Sequence, residues 1–129
     1  MSTLPDLAGL TVLVVEDDYD SREALTTFLE ACGAHVVEAS NGQGALAYID
    51  ANPAIKAVVT DLAMPHGDGV MFVKKVRAHP RRRSLPVIAI TAFYERFADW
   101  PQAGFDAFFK KPIKFEELGE KIRSLVTRG

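Results

Sequence analysis

The feature that most constrains the fold of this chain is a regular alternation between two kinds of apolar pattern. Five short runs rich in Val, Ile, Thr and Phe cover residues 10–15, 35–38, 57–60, 86–91 and 107–109. Each run is too short for a helix and is bounded by Gly, Pro or charge, which is typical of buried strands. Because strands that alternate with helices are joined as parallel βαβ units, the pattern predicts an α/β fold with a parallel sheet.

The stretches between these runs carry apolar residues at helical spacing. They predict helices over residues 21–31, 41–51, 68–78 and 115–126. Gly33 follows the first helix as a stop signal, and Asn41 opens the second as a capping residue. The crossover before the fifth strand is weaker, because Pro101 lies within it and proline ends or kinks a helix. A short or distorted fourth helix is therefore expected around residues 94–100.

The length and the cysteine count exclude several classes of protein. A length of 129 residues is typical of a single domain. A single cysteine, Cys32, excludes an intramolecular disulfide framework and a cysteine-rich metal site. No apolar run approaches the ~20 residues that span a bilayer, and the N-terminus lacks the basic segment of a signal peptide. We expect a cytoplasmic protein without membrane contact. Residues 1–9 would be an N-terminal extension and residues 10–127 the domain, with no output domain.

Polar residues lie at the carboxyl ends of four of the five predicted strands. Glu16 and Asp17 follow the first, Asp61 the third and Lys111 the fifth, while Thr91 ends the fourth. In open parallel sheets functional groups gather beyond the carboxyl ends of the strands, so these side chains should converge. Clustered carboxylates repel one another unless a cation joins them, and oxygen ligands suit Mg²⁺. The same acids disfavour a nucleotide or flavin cofactor in the first loop, because they would repel its phosphate.

Charge is distributed unevenly along the chain. Residues 1–64 hold ten acidic and two basic residues, whereas residues 65–129 hold seven acidic and thirteen basic residues. Six of the bases form a cluster over residues 74–83: Lys74, Lys75, Arg77, Arg81, Arg82 and Arg83. A nucleic-acid interface is disfavoured, because the cluster lacks interleaved aromatic residues and a recognisable binding motif. A solvated helix end and a protein-docking patch both fit the cluster.

Four segments carry a family resemblance: VLVVEDDYDSREAL, VVTDLAMPHGDG, PVIAITA and FDAFFKKPI. From about residue 10 to residue 126 the chain resembles the receiver domain of two-component response regulators. The resemblance implies a flavodoxin-like (βα)₅ three-layer sandwich with a five-stranded parallel sheet of order 2-1-3-4-5. It implies that Asp61 accepts a phosphoryl group. It also implies that Glu16, Asp17, Asp61 and the main-chain carbonyl of Ala63 hold Mg²⁺.

The resemblance also assigns the switch and the partners. Thr91 matches the switch hydroxyl, Lys111 matches the lysine that pairs with the acceptor, and the Lys111-Pro112 bond is expected to be cis. Phe108 stands at the position of the aromatic switch residue. A sensor histidine kinase or a histidine phosphotransfer protein would supply the phosphoryl group, and a downstream protein would be the target. The resemblance leaves a homodimer open.

Two residues differ from the family pattern, and two alternative functions remain open. Ala63 and Phe93 are apolar where the family helps to orient the hydrolytic water, so slow loss of the phosphoryl group is expected. One alternative is a phosphatase that uses Asp61 as a nucleophile, which Ala63 disfavours because such enzymes carry an acid there. The other is a receiver-like protein-binding module that acts independently of phosphorylation. The intact set of acids, Thr91 and Lys111 speaks against that module.

Overall fold

The computed structural model of the chain describes residues 4–63, 69–92 and 103–127. Its strands are β1 (Thr11–Val15), β2 (His35–Ala39), β3 (Ile55–Asp61), β4 (Val87–Thr91) and β5 (Ala107–Lys110). The helices in these ranges are α1 (Tyr19–Ala31), α2 (Gly42–Ala51), α3 (Gly69–Ala78) and α4 (Phe115–Thr127). All strand pairs are parallel, and the order β2-β1-β3-β4-β5 confirms the prediction. None of these helices is long and apolar enough to cross a membrane.

Helices cover both faces of the sheet, so the predicted three-layer sandwich is confirmed. One apolar cluster includes Leu25 of α1 and Ile122 of α4, and the other includes Ile49 of α2 and Phe72 of α3. Every residue of β4 is buried, as expected for a central parallel strand that is covered on both sides. Leu7, ahead of β1, belongs to the same body, because it is fully buried and its N–H donates to Cys32 O at 2.8 Å.

The helix ends follow local hydrogen bonding. Asn41 caps α2 as predicted, since its side chain accepts from Gly44 N–H at 2.8 Å. Gly33 adopts a φ of 95° just after α1, a conformation that favours glycine. α1 begins at Tyr19, two residues before the predicted start, because Asp18 accepts from Ser21 N–H at 2.9 Å and caps the helix there.

β3 is longer than predicted, which corrects its boundaries. It begins at Ile55 rather than at residue 57, and it ends on Asp61. Ile55 is fully buried while Lys56 is exposed, so one charged residue interrupts the apolar run without ending the strand. The other predicted bounds agree within one residue. The short helix expected around residues 94–100, together with Pro101, lies outside the described residues.

Candidate phospho-acceptor and metal site

Three carboxylates meet at the carboxyl edge of the sheet. Glu16 and Asp17 follow β1 directly, and Asp61 is the last residue of β3. Because β1 and β3 are neighbouring parallel strands, their ends bring these residues together, and one oxygen of each lies within 4.8 Å of the others. Glu16 and Asp61 are buried whereas Asp17 is exposed, so the cluster opens to solvent on one side. This is the convergence that the strand ends predicted.

Lys111 connects the two buried carboxylates. Its Nζ donates to Glu16 Oε1 at 2.8 Å and to Asp61 Oδ2 at 2.8 Å. Its main-chain N–H donates to Thr91 O at 2.9 Å, which extends the pairing of β4 and β5 and fixes where the side chain begins. The Lys111-Pro112 peptide bond is cis, as expected. The neighbouring Lys110 is exposed.

The electrostatics of this pocket are unbalanced towards negative charge. Burial raises the pKa of Glu16 to about 7; the hydrogen bond from Lys111 opposes this rise, and the charge of Asp61 reinforces it. Burial alone would lower the pKa of Lys111, but its hydrogen bonds to Asp61 and Glu16 outweigh that effect and raise the pKa. Lys111 is therefore charged at neutral pH, while Glu16 is poised to hold or release a proton.

The Asp61 side chain is held from two directions. Its Oδ1 accepts a hydrogen bond from Ala63 N–H at 2.9 Å, while its Oδ2 accepts from Lys111.

The first residue of α3, Gly69, packs against the main chain of Asp61. An added Cβ at Gly69 would lie 2.7 Å from Asp61 O and 2.8 Å from Leu62 Cδ2, so only glycine fits this close approach.

Thr91 and Phe108 lie on adjoining strands beside this pocket. Thr91 is the fully buried last residue of β4, and Phe108 of β5 pairs with Ala89 of β4. Ala89 and Thr91 are two residues apart and therefore share a sheet face. Phe108 is partly buried on the face covered by α2 and α3, where Ala89 also packs. Phe108 and Thr91 therefore lie on the same sheet face, on neighbouring strands.

The comparison with known families decides what this arrangement is. Residues 12–123 match the response regulator receiver domain. The chain belongs to the receiver domain family. The receiver is 40% identical to the 14.6 kDa protein of the sodA1 3′ region of Leptolyngbya boryana, over 87% of this chain and 86% of that one. It is 36% identical to response regulator Rre1 of Synechocystis, over 92% of this chain but only 52% of Rre1.

A solved structure shows the same fold with a metal. The receiver domain of a sensor histidine kinase from Pseudomonas aeruginosa holds a magnesium ion in its active-site cleft. It is 26% identical to this receiver, with a TM-score of 0.85, and the match covers 93% of this chain and 99% of that one. The resemblance to receiver domains is thereby confirmed by sequence and by fold.

The pocket of this receiver fits a small hard cation. Within the described residues, three carboxylates face the ammonium of Lys111, which leaves negative charge uncompensated. Burial raises the pKa of Glu16 to about 7, and the nearby charge of Asp61 adds to this rise. Oxygen donors are the ligands that Mg²⁺ prefers, and a divalent cation would balance the remaining charge. Receiver domains bind Mg²⁺ at this acidic pocket, and the donors of this chain match that chemistry.

One residue at the site was not predicted from the sequence. Arg22 of α1 donates from Nη1 to the main-chain oxygen of Glu16 at 2.8 Å, and its Nε lies 3.4 Å from Glu38 Oε1. Its guanidinium carbon is 5.6 Å from the centre of the Tyr19 ring. The available signal was weak: Arg22 is one of only two bases among the first 64 residues.

The basic cluster over residues 74–83 is partly structural. Arg77 donates to Gly104 O at 2.9 Å and to Leu85 O at 2.6 Å, and it forms an ion pair with Asp106 at 2.8 Å. Arg82 donates to Ile55 O, at the start of β3. The interpretation of the whole cluster as a solvated helix end is therefore wrong for Arg77 and Arg82. These two side chains donate to main-chain carbonyls of distant segments of the chain.

Proposed function

We propose that this receiver accepts a phosphoryl group on Asp61 from a histidine kinase or a histidine phosphotransfer protein, with Mg²⁺ as cofactor. The observation that carries the proposal is the position of Lys111, whose Nζ lies 2.8 Å from both Asp61 and Glu16. An ammonium thus already faces the carboxylate that reacts. Glu16, Asp17, Asp61 and the main-chain carbonyl of Ala63 would hold the metal.

Asp61 acts as a nucleophile in this reaction. One carboxylate oxygen forms a bond to phosphorus while the phosphorus–nitrogen bond of the donor phosphohistidine breaks, and the leaving imidazole nitrogen takes up a proton. Lys111 places its positive charge where the equatorial phosphoryl oxygens gain negative charge. Bound Mg²⁺ would supply further positive charge to the same oxygens. The product is an acyl phosphate at the edge of the sheet.

A groove beside the site offers the donor protein a place to bind. A cavity of about 250 Å³ opens next to Glu16 and Lys111. Apolar side chains line much of it: Leu25 of α1, Ile90, Ile113 and Phe115 at the start of α4. Because the donor histidine must reach Asp61, a protein that packs into this groove would be close enough to transfer its phosphoryl group.

Phosphorylation would change the surface through Thr91 and Phe108. The phosphoryl group adds roughly −1.5 to −2 of charge at pH 7, together with strong acceptor oxygens. The Thr91 hydroxyl at the end of β4 would move to donate to one of these oxygens. Phe108 would then move inward over Ala89, since it has no hydroxyl of its own to bind outside. The altered surface would control a downstream protein.

The acyl phosphate should also be long-lived. Ala63 stands two residues after Asp61 and offers only a methyl group, which neither orients nor deprotonates a water molecule. The chain therefore acts as a signalling module rather than as a phosphatase. Release of more than one equivalent of p-nitrophenol per protein from p-nitrophenyl phosphate would contradict this, as would decay of the phosphoprotein within seconds.

The proposal is tested with phosphoramidate, which donates without a partner protein. In the presence of Mg²⁺, intact-mass spectrometry should show one added phosphoryl group on the wild type and none on Asp61→Asn. Asp20→Asn, which removes an exposed acid of α1, is the matched control and should be phosphorylated normally. Absence of phosphorylation in the folded wild type with Mg²⁺ would refute the proposal. In that case the alternative of a phosphorylation-independent binding module would be favoured.

The switch is tested separately by NMR. Beryllofluoride with Mg²⁺ mimics the phosphoryl group, and it should shift the resonances of Thr91 and Phe108 in the wild type but not in Asp61→Asn. Phe108→Leu should leave the Thr91 shift in place, because the hydroxyl contact comes first. Phosphorylation without any change at Thr91 or Phe108 would contradict the switch and leave the acceptor role standing.

A further inference from the structure

Arg22 joins the loop after β1 to the helix that follows it. The guanidinium donates to the main-chain oxygen of Glu16 at 2.8 Å, pairs with Glu38 of β2 at 3.4 Å and lies over the Tyr19 ring. Only 19% of the Arg22 side chain is exposed. A guanidinium that is fixed at three points lowers the freedom of whatever it contacts, because its planar donors are rigid.

The contacted oxygen belongs to the peptide group between Glu16 and Asp17. The other groups of Glu16 are also bound: its N–H donates to Ala39 O at 3.0 Å, and its carboxylate accepts from Lys111 and, at 3.3 Å, from Asp18 N–H. Arg22 thus holds the remaining main-chain group of Glu16, its carbonyl, which belongs to the peptide bond with Asp17. The orientation of that peptide plane sets the direction in which Asp17 leaves the main chain.

We propose that Arg22 is a positioning residue of the metal site, which holds the Glu16–Asp17 peptide so that the exposed Asp17 carboxylate faces Glu16 and Asp61. The inference rests on the proposed function, since it concerns the same pocket. Asp17 needs such support more than its neighbours do, because Glu16 and Asp61 are buried and bound to Lys111 whereas Asp17 is exposed. Groups that do not touch the metal but hold its ligands in position are an established determinant of metal affinity.

The charge of Arg22 and its position predict opposite effects on Mg²⁺ binding. A cation near the pocket repels a divalent ion, so a purely electrostatic role predicts that removing Arg22 tightens binding. A positioning role predicts weaker binding, because Asp17 loses its fixed direction. Partners that orient metal ligands typically contribute 10- to 100-fold in affinity, and Arg22 acts through a main-chain group, so we expect about 10-fold.

The experiment measures Mg²⁺ affinity of the metal-free protein by isothermal titration calorimetry. Arg22→Met should bind Mg²⁺ about 10-fold more weakly than the wild type. Arg22→Lys keeps the charge and one donor and should recover part of the loss. Arg123→Met removes the same charge from an exposed position on α4 and is the matched control, for which no change is expected. Unchanged or tighter binding by Arg22→Met would overturn the inference.

A second readout does not depend on metal. The Glu16 carbonyl and the Asp17 N–H share one peptide group, so loss of the hydrogen bond from Arg22 should shift the Asp17 amide resonance of the metal-free protein. Arg22→Met should move this resonance, whereas Arg123→Met should not. If the wild type fails to bind Mg²⁺, the proposed function fails, while the Asp17 resonance still reports on positioning. An unmoved Asp17 resonance in a folded Arg22→Met protein would refute the positioning role.

Discussion

Replacing Lys111 with methionine should destabilise the metal-free protein. The change leaves Glu16 and Asp61, whose side chains are 1% and 8% exposed, without the ammonium that bridges them. Breaking a buried ion pair by removing one partner costs about 3–5 kcal/mol. The loss should be smaller here, because the Lys111 side chain is 25% exposed and Glu16 can take up a proton. We expect the free energy of unfolding to fall by about 2 kcal/mol at about pH 8.

The loss should depend on pH with a definite sign. Glu16 already has a pKa of about 7 in the folded protein, against 4.5 in its ordinary state. A carboxyl group whose folded pKa is raised stabilises the fold at low pH, and that stability is lost as the pH rises towards the folded pKa. Removing Lys111 raises the pKa of Glu16 further, so the penalty should grow between about pH 7 and about pH 9. It should be smaller at about pH 5, where Glu16 is protonated in both proteins and the ion pair with Asp61 is what the change removes.

Urea denaturation followed by circular dichroism measures this difference, with EDTA present to remove metal. Lys114→Met is the matched control, since it removes an exposed lysine three residues along the chain and should change stability little. Adding Mg²⁺ should restore part of the lost stability of Lys111→Met, because a bound divalent cation replaces the missing positive charge. A Lys111→Met protein as stable as the control at high pH, or a loss that does not vary with pH, would show that Lys111 does not stabilise the two buried carboxylates.

Three further changes test other parts of the structure. Glu16→Gln removes the group whose pKa is raised. Without metal, the unfolding free energy of the wild type should fall by about 2 kcal/mol relative to that of Glu16→Gln between about pH 5 and about pH 7. Equal pH profiles of the two proteins in urea titrations would contradict the raised pKa. Gly69→Ala should lower the free energy of unfolding by about 1–3 kcal/mol, because the added Cβ overlaps the end of β3. Gly44→Ala, whose Cβ would lie at ordinary contact distance within α2, should not lower it in the same titrations. Arg77→Met should lower the unfolding free energy by about 2 kcal/mol, because it removes the part-buried hydrogen bonds to Gly104 O and Leu85 O and the ion pair with Asp106. Exposed Arg81→Met should have almost no effect, and equal losses would refute the division of the basic cluster.

The fold could be predicted because its signals are local. The β-branched runs and the helical spacing between them each lie within about ten residues, and both Asn41 and Gly33 act on the residues next to them. The position of the acidic cluster followed from one topological rule, since the carboxyl ends of parallel strands share an edge. Where a charged residue interrupted a strand, as Lys56 does in β3, the local signal failed and the start of the strand was misplaced.

The remaining features depend on contacts between distant parts of the chain. Arg77 binds Gly104, which lies 27 residues away, and Arg82 binds Ile55 at the same separation. Sequence alone distinguishes neither of these arginines from exposed Arg81. The pKa of Glu16 depends on burial that only the packed sheet creates.

Asp61 itself should become the acyl phosphate. After treatment with phosphoramidate and Mg²⁺, borohydride reduces an aspartyl phosphate to homoserine, and peptide sequencing by mass spectrometry locates the changed residue. Homoserine is expected at position 61, only when Mg²⁺ was present and at a much lower level in Lys111→Met. Homoserine at another aspartate, or equal modification of Asp61 with and without Mg²⁺, would show that Asp61 is not the Mg²⁺-dependent acceptor.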